Sequence, residues 1–116
     1  QLDAQVVVHG EEKSKSLRDD AVSAAVKNIS AGGVCFTAKN KFTFGSKIKL
    51  ELHLPDNENP LYLRGEVAWS KPAQKGGADF YDTGVKILSI EEGNEQRFIR
   101  YVCSKMSERL SKFVHL

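Results

Sequence analysis

The residue types that do chemistry are few and scattered in this chain of 116 residues. The histidines His9, His53 and His115 share no local metal-ligand spacing, so no metal site is expected. Cys35 and Cys103 have no Cys-x-x-Cys partner, and each reads as a small buried residue rather than a nucleophile. Gly32-Gly33 is not followed by Lys-Ser or Lys-Thr, so it is not a phosphate-cradling P-loop. Asp79 and Asp82 lie beside a Gly-containing turn, just after Gly76-Gly77, and read as solvated groups rather than paired acids. No catalytic residue and no cofactor site emerges, and the chain reads as a non-enzyme.

One segment stands apart: Lys27-Asn28-Ile29-Ser30-Ala31-Gly32-Gly33-Val34-Cys35-Phe36. Val22, Ala24 and Val26 share one face of a strand, but the next large apolar residue, Ile29, follows Val26 by three positions. That break predicts a bulge near Asn28, which turns the Asn and Ser side chains out of the ladder. Asn donates and accepts, Ser adds a rotatable hydroxyl, and Gly33 allows a backbone geometry or close approach that a side chain blocks. The same residues also suit a strand-turn-strand connection in which Asn28 and Ser30 only satisfy the turn backbone. A second stretch, Lys39, Lys41, Lys47 and Lys49 with Phe42 and Phe44, has the ingredients of a single-strand nucleic-acid groove. The net charge of only +2 and the lack of an extended basic stripe favour core or loop phenylalanines with a solvated lysine face, so nucleic acid is not the expected partner.

Elements must exist to position these groups, and the pattern supplies them. Lys47-Ile48-Lys49-Leu50-Glu51-Leu52-His53-Leu54 alternates without a break. In the next run Leu61, Leu63, Gly65, Val67 and Trp69 share one face, and Tyr62, Arg64, Glu66 and Ala68 the other. Pro55 to Pro60 is turn chemistry between them, which predicts an antiparallel hairpin. Further strands are expected at 5–9, 21–27, 34–38 and 83–88, with surface loops at 11–20 and 70–79. Six short strands favour a barrel or sandwich over a parallel sheet, which needs intervening helices. Ser89-Ile90-Glu91-Glu92 reads as a capping box opening a helix over about 90–113, with Ile99, Val102, Met106, Leu110 and Phe113 as its buried stripe. With 41% hydrophobic residues the chain supports one core, so residues 1–116 form a single domain, barrel about 4–88 and then the helix. No run approaches the ~20 apolar residues of a membrane helix, and membrane insertion is not expected. The chain opens Gln1-Leu2-Asp3 without Met and reads as a fragment or processed product.

Asn28-x-Ser30-x-x-Gly33 resembles the (Asp/Asn)-x-Ser-x-x-Gly signature of PilZ domains, in the setting Ser-x-Gly-Gly-aliphatic-x-Phe. Gly65-Glu66-Val67-Ala68-Trp69 resembles the family's Gly-x-Val-x-Trp strand, and Thr83-Gly84-Val85-Lys86-Ile87 its later Gly-Val-x-Phe strand. The resemblance runs from Val6 to about Leu110 and implies a mainly β fold, a six-stranded antiparallel PilZ-type barrel with a C-terminal helix. It also implies a bacterial, cytoplasmic receptor for cyclic di-GMP that relays the messenger's level to a partner protein or attached domain. On that resemblance Asn28, Ser30 and Gly33 are the ligand-binding residues, contacting guanine and ribose-phosphate.

The family's second element is an Arg-x-x-x-Arg on an arm before the first strand. This chain contains none, and Gln1 to Val6 resembles the segment that follows it, so the chain reads as lacking that upstream arm. Two lost charge-assisted contacts are worth roughly 3–6 kcal/mol, about a hundred- to ten-thousand-fold in affinity. The chain by itself is therefore expected to bind cyclic di-GMP weakly or not at all. Lys27 and Arg64 are the cations nearest the motif in sequence order, and both read as solvated strand residues. The alternative is a PilZ-like interaction module that does not bind the nucleotide and docks through the helix, with Phe98 and Tyr101 off its buried stripe.

Overall fold

A strand with one buried face needs a partner for each edge, and closure into a barrel removes the edges altogether. The computed structural model describes residues 3–10, 21–56, 58–73 and 79–113, and all of their side chains except those at 109 and 111–113. Among these residues lie six strands: β1 (Gln5–Gly10), β2 (Val22–Ile29), β3 (Gly33–Ala38), β4 (Lys47–His53), β5 (Leu61–Pro72) and β6 (Tyr81–Ile90). One helix, α1 (Glu95–Phe113), follows them. The strands close a barrel in the order β1-β2-β3-β6-β5-β4, and every neighbouring pair is antiparallel. The expected fold class is the observed one.

Alternation places the core. Val6 and Val8, Ala24 and Val26, Val34 and Phe36, Ile48, Leu50 and Leu52, and Leu61, Leu63 and Val67 are all buried inside the barrel. Each large aliphatic or aromatic among them contributes about 1.5–3 kcal/mol by leaving water. Phe42 closes one end, edge-on to Phe36 with ring centroids 5.7 Å apart, whereas Phe44 is 76% exposed. The expected loop at 70–79 starts later than the polarity suggested. Ser70, Lys71 and Pro72 continue β5 opposite Thr83, Asp82 and Tyr81, because the Ser70 hydroxyl pairs with the Thr83 hydroxyl at 2.9 Å and accepts the Phe42 amide at 3.1 Å. Residues 74–78, the expected loop at 11–20 and His115 lie outside the described residues.

The helix departs from expectation at its start and in its phase. Ser89 and Ile90 belong to β6, opposite Arg64 and Leu63, so the apparent capping box is strand. Gly93, at φ +92°, turns the chain in a conformation that side chains disfavour, and Asn94 stands at the N-cap position, its backbone carbonyl accepting the first helical bond from the Phe98 amide at 3.1 Å. Phe98 and Val102 are the buried pair, whereas Ile99, Met106 and Leu110 are 42%, 47% and 62% exposed. The buried ridge therefore lies to one side of the stripe read from spacing, and Phe98 is core rather than a surface contact. The Phe113 side chain lies outside the described residues. Arg97 forks onto Asp56 at 3.1 and 3.2 Å and ties the first turn of α1 to the β4–β5 turn. That guanidinium holds the Asp56 carboxyl below its ordinary range. At the other end Asp3 accepts from the Tyr101 hydroxyl at 2.6 Å and from Lys105 at 3.0 Å, clasping the chain before β1 to the helix.

Candidate functional site

The predicted bulge is present: Val26 opposes Phe36 but Asn28 opposes Cys35, so the register of β2 on β3 slips by one residue at Lys27. Ile29 thereby returns to the core. Asn28 accepts the Ile29 amide on its side-chain oxygen at 2.9 Å. The Ser30 amide donates to the Gly33 carbonyl at 2.9 Å, and the Ser30 hydroxyl reaches the same oxygen at 3.5 Å, a longer contact that the exposed hydroxyl can give up. At Gly33 the requirement is close approach, not handedness: a Cβ would sit 3.0 Å from the Val85 carbonyl of β6. The Gly32 carbonyl accepts the Ile87 amide at 2.9 Å, so the turn is moored to β6 as well.

The three residues singled out in sequence line one open cleft of about 250 Å³, together with Cys35, Trp69, Gly84 and Lys86. Trp69 is the residue that spacing misplaced. A second irregularity in β5 falls between Val67 and Trp69, so Val67 opposes Val85 and Trp69 opposes Gly84. Trp69 therefore leaves the inward face expected of it and is 42% exposed. Its indole lies across Gly84, where a Cβ would come within 2.4 Å of the ring. Lys71 sits 5.2 Å from the ring centroid, which leaves the cleft with an aromatic surface beside a cation. The Gly-x-Val-x-Trp spacing was the available signal for Trp69. Nothing in the sequence pointed to Lys86.

Beside the cleft one ion pair spans the strands. Lys27 reaches Asp82 at 2.7 Å, and the Thr37 hydroxyl donates to the other carboxylate oxygen at 2.7 Å. Asp82 is 6% exposed, so the expectation of a solvated acid is overturned by its two cross-strand donors. Burial works to raise its pKa, but Lys27 and Thr37 outweigh burial and hold it below the ordinary value. The hydrogen bond to Asp82 raises Lys27 in turn. Lys27 is otherwise exposed, the solvated strand residue expected, with its ammonium held by Asp82. Arg64 lies on β5 between Lys49 and Ser89, away from the residues that line the cleft. Cys35 borders the cleft half-buried, and burial pushes its thiol up, away from the thiolate a nucleophile needs. Cys103, expected to be buried, is exposed on α1.

Elsewhere His9 and His53 both contact Glu51, at 3.2 and 2.8 Å. Among the described residues no group of three or more His, Cys, Asp or Glu could hold a metal ion, and no helix is long and apolar enough to cross a membrane.

The PilZ domain family model matches residues 1–104. Among solved structures, a Bacillus subtilis inhibitor of motility, MotI/DgrA, superposes with a TM-score of 0.67 at 19% identity, covering 90% of this chain. The alignment covers 47% of that protein, so the chain spans about half its length. Comparison with curated proteins gave no match. The family match over nearly the whole chain, on a closed barrel whose bulge carries the Asn28, Ser30 and Gly33 signature, makes this chain a member of the PilZ domain family, a family of cyclic di-GMP receptors and adaptors.

Proposed function

We propose that this domain is a cyclic di-GMP receptor module that relays the messenger's level to a partner protein or an attached domain. The observation that carries the reading is convergence: the Asn28–Ser30–Gly33 turn, Trp69 and Lys86 border a single cleft. Asn28 and Ser30 suit a guanine edge and ribose-phosphate, the indole offers a stacking face, and Lys86 supplies one charge toward a phosphate. At about 250 Å³ the cleft is smaller than the ~300–1,000 Å³ of a full small-molecule site, so it takes one guanosine half and leaves the other half over open surface. One lysine does little for two phosphates. The 116-residue chain accordingly binds more weakly than micromolar, and a tight grip needs cations supplied from outside it. The reading carries with it a bacterial, cytoplasmic setting.

Trp69 is the single tryptophan of the chain, so its fluorescence reports the cleft without a label. Titration with cyclic di-GMP should quench or shift the emission, and GMP at equal concentration should do less. Asn28→Ala and Ser30→Ala, each in a chain extended upstream of Gln1, should weaken binding about 3–10-fold, the worth of one net hydrogen bond. Unchanged affinity in both variants would refute the site. The docking reading has its own observation in its favour, the exposed Ile99, Met106 and Leu110 on α1. It predicts no emission change with cyclic di-GMP even in the extended chain.

A further inference from the structure

The exposed residues of α1 are not scattered. Ile99, Cys103, Met106 and Leu110 follow one another at spacings of four, three and four, the 3.5-residue repeat of a two-stranded coiled-coil seam. All four are exposed. At about 100° per residue the centre of this ridge lies roughly a quarter-turn from the centre of the Phe98–Val102 ridge that holds the barrel, with Met106 the member nearest to it. Both ridges can therefore be occupied at once. Met106, Ser107, Glu108 and Leu110 are all exposed, so the second half of the helix offers its seam clear of the barrel.

The flanking charges select the occupant. With Cys103 and Leu110 at the a positions and Ile99 and Met106 at the d positions, Glu95 falls at g and Arg100 at the following e. In a parallel pair the g residue of one helix meets the e residue five places on in the other, so Glu95 meets Arg100 of the partner copy, twice by symmetry. The next flanking pair, Val102 with Ser107, brings no like charges together. An antiparallel pair of full overlap instead sets Arg100 against Ser107 and leaves Glu95 without an opposing charge. A hollow of about 340 Å³ lined by Glu95, Gln96, Ile99 and Arg100 marks the amino end of the seam.

We propose that this chain forms a parallel, two-fold dimer through α1, with the Ile99–Leu110 ridge of each copy packed in register on the other and Cys103 facing Cys103. The seam is short and falls below the ~1,600 Å² of a standard stable interface, so association lies in the micromolar range or weaker. Sedimentation of the full chain, 12.9 kDa as a monomer, should show the mass doubling as concentration rises from about 1 µM to several hundred µM. Met106→Glu, at an exposed position, should leave the fold intact and the chain monomeric. Glu95→Arg should weaken the dimer several-fold, and adding Arg100→Glu should restore it. In a Cys35→Ser background, copper-phenanthroline in air should link Cys103 to its counterpart. Two thiols then become one disulfide, with two electrons and two protons passing to the oxidant. A monomer at every concentration overturns the proposal. So does a dimer indifferent to Met106→Glu, or one that forms without the Cys103 link and without rescue by the charge swap.

Discussion

Replacing Asp82 by alanine removes a carboxylate that is 6% exposed and accepts from Thr37 on the adjacent β3 and from Lys27 on β2 beyond it. The Thr37 hydroxyl, 2.7 Å away, loses an ionised acceptor, a contact worth about 1.5–3 kcal/mol. Lys27 is exposed and regains water, so its loss adds little to the total. At roughly 4 °C per kcal/mol for a domain of this length, the melting temperature at neutral pH should fall by about 6–12 °C. Asp82→Asn keeps an acceptor for Thr37 without the charge and should lose about half as much. The pH dependence gives a second arm. Asp82 titrates below its ordinary 3.8 in the folded chain, so its contribution is complete above that value and is lost as pH falls through the folded pKa. The gap between parent and Asp82→Ala should therefore narrow in acid, toward the gap between Asp82→Asn and Asp82→Ala. Melting followed by circular dichroism across pH reads both effects. A neutral-pH difference under ~1 °C, or one that persists undiminished well below pH 3.8, would refute the reasoning.

Three further outcomes follow from the packing. Phe98 is fully buried beneath α1, so Phe98→Ala should cost about 3–5 kcal/mol in chemical denaturation, and a loss under ~1 kcal/mol would show that the helix is not docked as described. Gly84→Ala puts a methyl 2.4 Å from the Trp69 indole and should drive the ring off β6, red-shifting its emission; an unchanged spectrum contradicts the placement. Burial and then the Asp3 carboxylate raise the Tyr101 phenol above its ordinary value of 10. Asp3→Ala should therefore move its phenolate absorbance transition to lower pH while burial keeps it above that of a free tyrosine. A transition that stays in place would show that the clasp is absent.

How far sequence carried the account varies by element. The period-two runs at β4 and the start of β5 place strand and face together, because the opposite facing would bury Lys47, Lys49 and Glu51 in the first and Arg64 and Glu66 in the second. The bulge at Asn28 is legible for the same reason, since the break in period falls between two β-branched residues that must both be inside. The irregularity at Ala68 leaves no such mark. Alanine fits either face and tryptophan is at home in a core, so the alternation in the sequence runs on unbroken while Trp69 turns outward. On α1 two apolar ridges lie side by side, and spacing alone does not say which one the barrel takes. Phe98 fills space inside and Ile99 does not. Ser89 to Glu92 carries a genuine capping pattern, but the pairing of Ile90 with Leu63 extends β6 through it and Asn94 takes the cap. The buried Asp82 was out of reach as well, since its donors lie 45 and 55 residues away.

Binding of the nucleotide at the bulge is tested most directly by nuclear magnetic resonance, which reads weak association residue by residue. Cyclic di-GMP should be added to the isotope-labelled chain in steps up to millimolar concentration. The account predicts saturable shifts at the Trp69 indole N–H, the Asn28 side-chain amide and the Ser30 and Gly33 backbone amides, with α1 little changed. No shifts at millimolar ligand, or shifts that leave Asn28, Ser30, Gly33 and Trp69 untouched, would contradict it.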